Sequence, residues 1–187
     1  TEKLEQLLIN SINIQNQADV PLCTFLSGGI DSSTVAVLLQ KICPHKINTM
    51  TISFPDYKES GKYFDEGPYA EKIAKFLGSN HTDIPITSKE ALNIIPYLPE
   101  IYSEPFSDSS QIATYLLCKA TKNSGYKVAL TGDGSDELFG GYNRHIFLPK
   151  IYSIFSKAPA EIKNIINFIL SRIPLSNKGL LKDKRQK

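Results

Sequence analysis

The chain has 187 residues, 41% hydrophobic and 21% charged, with a net charge of +2, which is enough apolar material for one sizeable core and too little length to favour a second independent domain. Eleven glycines and eleven prolines are ordinary counts, no tract is of low complexity and no period repeats, so collagen-like, disordered and solenoid architectures are excluded. The longest apolar stretches, such as Ile165, Ile166 and Phe168 to Leu170, fall far short of the ~20 residues that cross a bilayer.

In chain order, Leu4, Leu7, Leu8 and Ile12 share one face of a helix over about residues 3 to 16, which Asp19-Val20-Pro21 ends. Leu22 to Leu26 reads as a strand that stops at Ser27-Gly28-Gly29, and Val35, Leu38, Leu39 and Ile42 then recur at helical spacing. Ile47 to Phe54 is a second strand, followed by a helix with Tyr69, Ile73, Phe76 and Leu77 on one face, closed by Gly78. His81 to Ile86 is a short third strand, Ser88 to Leu98 a helix and Pro99 to Asp108 a loop. Ile112, Tyr115, Leu116 and Ala120 mark a helix that Gly125 ends, and Lys127 to Thr131 is a fourth strand. From Ile146 the pattern is helical, with breaks expected near Pro149, Pro159 and Pro174. Strands alternating with helices predict an α/β fold: a parallel sheet with helices on both faces and right-handed crossovers.

Three cysteines, Cys23, Cys43 and Cys118, are an odd number without metal-ligand spacing. They read as buried thiols of a reducing compartment, hence a cytoplasmic protein. Thr1-Glu2-Lys3-Leu4 has neither an initiating Met nor a signal pattern, so the chain reads as a fragment of a longer protein. Its last ten residues hold five basic side chains against Asp183 alone, a solvated terminus more than a nucleic-acid patch.

Two loops carry the chemistry. Ser27-Gly28-Gly29-Ile30-Asp31-Ser32-Ser33 lies between the first strand and its helix, where a glycine turn and a helix amino terminus aim backbone amides at one anion. Phosphate is the natural ligand, with the hydroxyls of Ser27, Ser32 and Ser33 as further donors. Asp31 would repel phosphate unless a cation lay between them, which suggests Mg²⁺. Helix capping by Ser27 or Asp31 is the alternative. The loop has neither the Gly-Lys-Ser/Thr of a Walker A motif nor the spacing of a dinucleotide fold. The second loop, Thr131-Gly132-Asp133-Gly134-Ser135-Asp136-Glu137, also follows a strand, and in a parallel sheet it shares an edge with the first. Its acidic residues suit either a shared metal or a favourable helix amino terminus. His81 and His145 read as ordinary polar surface or loop residues, and Arg144 as an anion ligand or an ion-pair partner.

The first loop resembles the PP-loop of the N-type ATP pyrophosphatases, and Thr131 to Tyr142 resembles the second signature of glutamine-dependent asparagine synthetases; Asp19-Val20-Pro21 and Ser103 to Ser110 are also similar to that family. The resemblance runs from about residue 1 to 145. It implies an adenine nucleotide alpha hydrolase-like synthetase domain over 1–145 and a truncated helical extension of it over 146–187. It also implies a C–N ligase that adenylates the aspartate side-chain carboxylate with ATP, releases pyrophosphate and lets glutamine-derived ammonia form the amide. By motif position, Ser27, Gly28, Gly29, Asp31, Ser32 and Ser33 would bind pyrophosphate; Phe25, Leu26, Ile52, Thr131 and Gly132 would border adenosine; Asp31 and Asp136 would hold Mg²⁺. Asp133 stands where many members have a Glu that serves the intermediate and takes protons from ammonia.

The sequence departs from the family pattern in several places. Asp133 is one methylene shorter than that Glu, and residues 103 to 110 lack the Thr-x-x-Arg that some members place around the aspartyl substrate. The glutaminase with its terminal Cys and the carboxyl-terminal part with the catalytic Lys are absent from the sequence, so the isolated chain is expected not to make asparagine from glutamine. The implied partners are that glutaminase of the same parent chain and a second copy of the full-length protein, with no nucleic acid and no membrane. Two other readings stay open: amidation of another carboxylate, such as a sugar uronic acid or a β-lactam precursor, and an inactive nucleotide-binding module.

Overall fold

A computed structural model describes residues 1–56, 65–104, 108, 110–164 and 168. Its contacts divide the chain into two compact units, Thr1–Ser135 and Asp136–Lys187.

The first unit begins with α1 (Glu2–Gln15), whose first turn carries Glu2 and Glu5, the charge sign a helix amino terminus favours. It buries Ile12 and packs Leu8 and Ile9 against the core, whereas Leu4 and Leu7 are exposed. The buried stripe is therefore rotated from the face that the four apolar residues predict. Next come β1 (Leu22–Phe25), α2 (Ile30–Ile42), β2 (Asn48–Ser53), α3 (Gly67–Leu77) and β3 (Asn80–Pro85). Gly78 closes α3 in the left-handed conformation at φ 69°, as expected of a C′ glycine. The large residues on that helix do not form the buried face: Tyr69 and Phe76 are exposed, and Ala70 and Ala74 are buried. Small side chains bring α3 close to its neighbours, with Ile73 and Leu77 packed beside them.

The helix expected over 88–98 is divided into α4 (Ser88–Ile94), a 3₁₀ turn (Ile95–Tyr97) and α5 (Leu98–Ile101). Pro96, which cannot donate an amide to a continuing ladder, sits in the turn. Thr87 starts α4 with a capping box: its hydroxyl accepts from the Glu90 amide, and the Glu90 carboxylate accepts from the Thr87 amide at 2.8 Å. α6 (Ser110–Asn123) and β4 (Val128–Leu130) follow.

All strand pairs are parallel, in the order β3-β2-β1-β4. Right-handed crossovers put α2 and α3 on one face and the return through α6 on the other. In agreement, α1, α2 and α3 build the apolar cluster around Leu26, Leu39, Ala70 and Leu130, and α6 faces Phe25, Met50 and Ile52. The chain moves one way from β1 to β3 and then crosses to the other side of β1 for β4. That reversal makes the carboxyl ends of β1 and β4 a switch point, where open α/β sheets leave a crevice.

In the second unit, α7 (Ser135–Phe139), which starts at the unit boundary, leads through Gly140 to α8 (Asn143–Lys157). Pro149 lies inside α8 without ending it, whereas Pro159 separates α8 from a further helical stretch at 160–164. Pro174, the basic terminus and residues 105–107 and 109 of the expected substrate segment lie outside the described residues.

Candidate active site

The loop after β1 is braced from within. The Ser27 amide donates to Ser32 Oγ at 3.1 Å, the two hydroxyls share a hydrogen bond of 2.9 Å, and the Gly29 amide donates to Ser27 Oγ at 3.2 Å. Ser32 is buried, and the Ser33 hydroxyl bonds the Gly29 carbonyl at 2.5 Å. The helical ladder of α2 begins with Ser33 N donating to Gly29 O at 3.1 Å, so the amides of its first turn have no helical acceptor and face the turn, as at any helix start. Gly28 adopts φ +82°, and a Cβ there would lie 2.6 Å from Tyr69 Cβ and 3.0 Å from Ala70 N. Both the handedness and the contact with α3 require glycine.

The loop after β4 reaches the same place. A Cβ on Gly132 would lie 2.7 Å from Ser32 N and 2.9 Å from Asp31 C, so this glycine rests directly on the first turn of α2. Thr131 Oγ1 donates to Asp133 Oδ2 at 3.0 Å and accepts from the Asp133 amide at 3.3 Å. That turn holds an exposed carboxylate beside the cradle. Cys118 on α6 is exposed overall, yet partial desolvation by its neighbours, followed by the negative charge of Asp133, raises its thiol pKa.

A pocket of about 230 Å³ opens beside the cradle. Its walls are Phe25, Leu26 and Ser27 after and within β1, Met50 to Ile52 on β2, Phe54 and Glu66 beyond it, and Ala113, Thr114 and Leu117 of α6. Of the five residues expected around adenosine, Phe25, Leu26 and Ile52 line it together; Thr131 and Gly132 do not, Gly132 lying against the first turn of α2 instead. Met50, Phe54 and the α6 residues are additional walls. Sequence spacing could have found Met50, which is the register partner of Phe25, but nothing in the sequence singles out the α6 face.

In the second unit, Asp136 and Glu137 lie in the first turn of α7. The Gly141 amide donates to the Asp136 carbonyl at 3.0 Å, and a Cβ on Gly141 would land on the Asp136 carboxylate. Glu137 accepts from the Tyr142 hydroxyl at 2.7 Å, which lowers the Glu137 pKa and raises that of Tyr142. Arg144 stacks over the Tyr142 ring at 4.0 Å. His145 meets the same ring edge-on with centroids 5.4 Å apart.

His81 departs from the sequence reading. It is half-buried in β3, its Nδ1 2.9 Å from Thr49 Oγ1, and burial lowers its pKa against the opposing influence of Asp83 and Glu71. The thiols also diverge: Cys23 is buried, Cys43 intermediate and Cys118 exposed. No helix among the described residues is long and apolar enough to cross a membrane.

Among the described residues, no three His, Cys, Asp or Glu side chains cluster as a metal cage. Mg²⁺ does not need one, since it commonly takes one or two carboxylates plus substrate phosphates and water. Asp31, in the first turn of α2 beside the cradle, fits that manner of binding.

A family model described as asparagine synthase matches residues 3–186. The chain is 35% identical to a putative glutamine-hydrolysing asparagine synthetase of Methanocaldococcus jannaschii, over 78% of this chain and 27% of that one. It is 30% identical to glutamine-hydrolysing asparagine synthetase 1 of Bacillus subtilis, over 95% and 27% respectively. It is also 31% identical to the amidase chry2 of Gibberella zeae, over 76% and 23%. It thus spans about a quarter of the length of these relatives. With its two glycine loops meeting at the switch point of a parallel sheet, the chain belongs to the asparagine synthase family.

Proposed function

We propose that this chain supplies the ATP site of an amide-forming ligase, which adenylates the side-chain carboxylate of aspartate, releases pyrophosphate and passes the acyl-adenylate to ammonia released from glutamine. The observation that carries the reading is the junction of the two loops, with Gly132 resting on the first turn of α2 and an apolar pocket beginning at Phe25 and Leu26. A nucleotide needs that combination: a flat apolar slot for the base and backbone donors for the phosphates.

In this scheme Phe25, Leu26, Met50 and Ile52 hold the base. The amides of Gly28 and of residues 30 to 32 hold the β and γ phosphates, joined by serine hydroxyls that would exchange their bonds within the loop for phosphate oxygens, and Thr131 and Gly132 close the site beside them. Fixed donors aimed at the leaving pyrophosphate stabilise the charge that develops on it. Asp31 is the candidate Mg²⁺ ligand of the first unit and Asp136 that of the second; a bound ion would neutralise phosphate charge. The Asp133 carboxylate, oriented by Thr131, accepts a proton as ammonia becomes the amide nitrogen. The parent protein is proposed to be a cytoplasmic homodimer, with a glutaminase domain in the same chain supplying the ammonia.

ATP–pyrophosphate exchange by the full-length parent, screened across carboxylates, tests this. Exchange that requires aspartate is expected, and no exchange with any carboxylate would refute adenylation. The relative named as an amidase favours one second reading, amidation of a different carboxylate; exchange with a uronic acid or β-lactam precursor but not with aspartate would establish it.

A further inference from the structure

Asp65 lies outside both glycine loops, yet one of its oxygens joins the two walls of the candidate nucleotide site. Oδ1 accepts from the Phe54 amide at 3.2 Å, just past the end of β2, and from the Gly67 amide at 3.1 Å, at the start of α3. Phe54 and Glu66 both line the pocket. The segment fixed at Gly67 continues into Tyr69 and Ala70, whose atoms lie where a Cβ on Gly28 would fall. Gly67 is itself buried and set so close to β2 that an added Cβ would lie 2.7 Å from Ser53 Cβ. The end of β2 is in turn tied to β3 by Ser53 Oγ, which donates to Asp83 Oδ2 at 2.9 Å.

We propose that Asp65 is a positioning residue for nucleotide binding: by bridging the Phe54 and Gly67 amides it sets the spacing between the pocket wall and the α3 turn that backs the phosphate loop. The inference rests on the functional reading above. A single oxygen with two lone pairs can accept both amides. An Asn side-chain carbonyl keeps that capacity, a methyl group does not, and a serine hydroxyl is too short to reach both donors. What distinguishes a positioning role from general stability is therefore rescue by Asn together with an effect confined to ATP affinity.

In the full-length parent, Asp65→Ala is expected to weaken Mg-ATP binding in calorimetry about tenfold, equivalent to about 1.4 kcal/mol. The KM for ATP should rise in proportion, with kcat within about twofold, whereas Asp65→Asn should stay within about threefold of wild type. If Asp65→Ala does not fold, Asp65→Ser carries the test and should show the same tenfold loss. Wild-type affinity in a folded Ala or Ser variant overturns the positioning role, as does an Asn variant as impaired as Ala. Failure of the wild-type protein to bind Mg-ATP overturns the functional reading and this inference with it.

Discussion

Gly28→Ala perturbs the cradle at the point where two independent constraints meet. The backbone at Gly28 has φ +82°, which for an L residue with a Cβ costs about 1–2 kcal/mol. The new methyl would also lie 2.6 Å from Tyr69 Cβ and 3.0 Å from Ala70 N. The second of these atoms is backbone and cannot rotate away, so α3 or the loop must shift, at about 1–3 kcal/mol for such overpacking. The two together give about 2–5 kcal/mol, a large share of the ~5–15 kcal/mol that keeps a typical domain folded. At about 2–4 °C per kcal/mol for a chain of this size, Tm should fall by about 4–20 °C. The loop can lower this cost only by leaving its observed shape, and then the phosphate donors move. Circular dichroism melts and Mg-ATP calorimetry on the same preparation read both effects. A Gly28→Ala protein that keeps both its Tm and its ATP affinity would refute the argument.

Further outcomes are expected elsewhere. Gly132→Ala places a methyl 2.7 Å from Ser32 N and should weaken ATP binding at least about tenfold through displacement of the second loop; calorimetry reads it, and unchanged affinity contradicts the loop junction. His81 has its pKa lowered below 6.5, first by burial, so the unfolded chain takes up a proton before the folded one does. Stability should fall as pH drops through 6.5, and denaturant melts from pH 7.5 to 5 should show a shallower decline in His81→Gln. Burial, and then the neighbouring Cys118, raise the Cys23 thiol from 9.0 to about 11. That group stabilises the fold fully below pH 9 and loses its contribution as pH rises toward 11, a loss that Cys23→Ala should remove. Alkylation at pH 8 should reach exposed Cys118 before buried Cys23.

The strands and the two loops were legible because their signals are local. Short apolar runs ending in Ser27-Gly28-Gly29 and Thr131-Gly132 mark strand ends, and βα alternation alone implies that both ends share an edge. The helix faces were read less well. On α1 and α3 the large apolar residues draw the stripe toward Leu4, Leu7, Tyr69 and Phe76, all exposed, while α1 turns Leu8, Ile9 and Ile12 to the core and α3 packs closest through Ala70 and Ala74, which a count of bulky residues passes over. Pro96 divided an expected single helix and Pro149 did not break one, because the cost of a proline depends on its place in the hydrogen-bond ladder. His81 read as a surface group because its partner, Thr49, is 32 residues away and only strand register joins them. Asp65 likewise acts on backbone amides, one of them 11 residues away, so no side-chain motif announces it.

The central claim is that the loop after β1 holds the phosphates of ATP with Asp31 facing a bound cation. Its most direct test is calorimetric titration of Mg-ATP into the wild-type protein and Asp31→Ala. The account predicts saturable binding by wild type and affinity at least about tenfold weaker in the variant, equivalent to about 1.4 kcal/mol or more. Equal affinity in the two proteins would contradict the metal assignment, and no saturable binding by wild type would contradict the site itself.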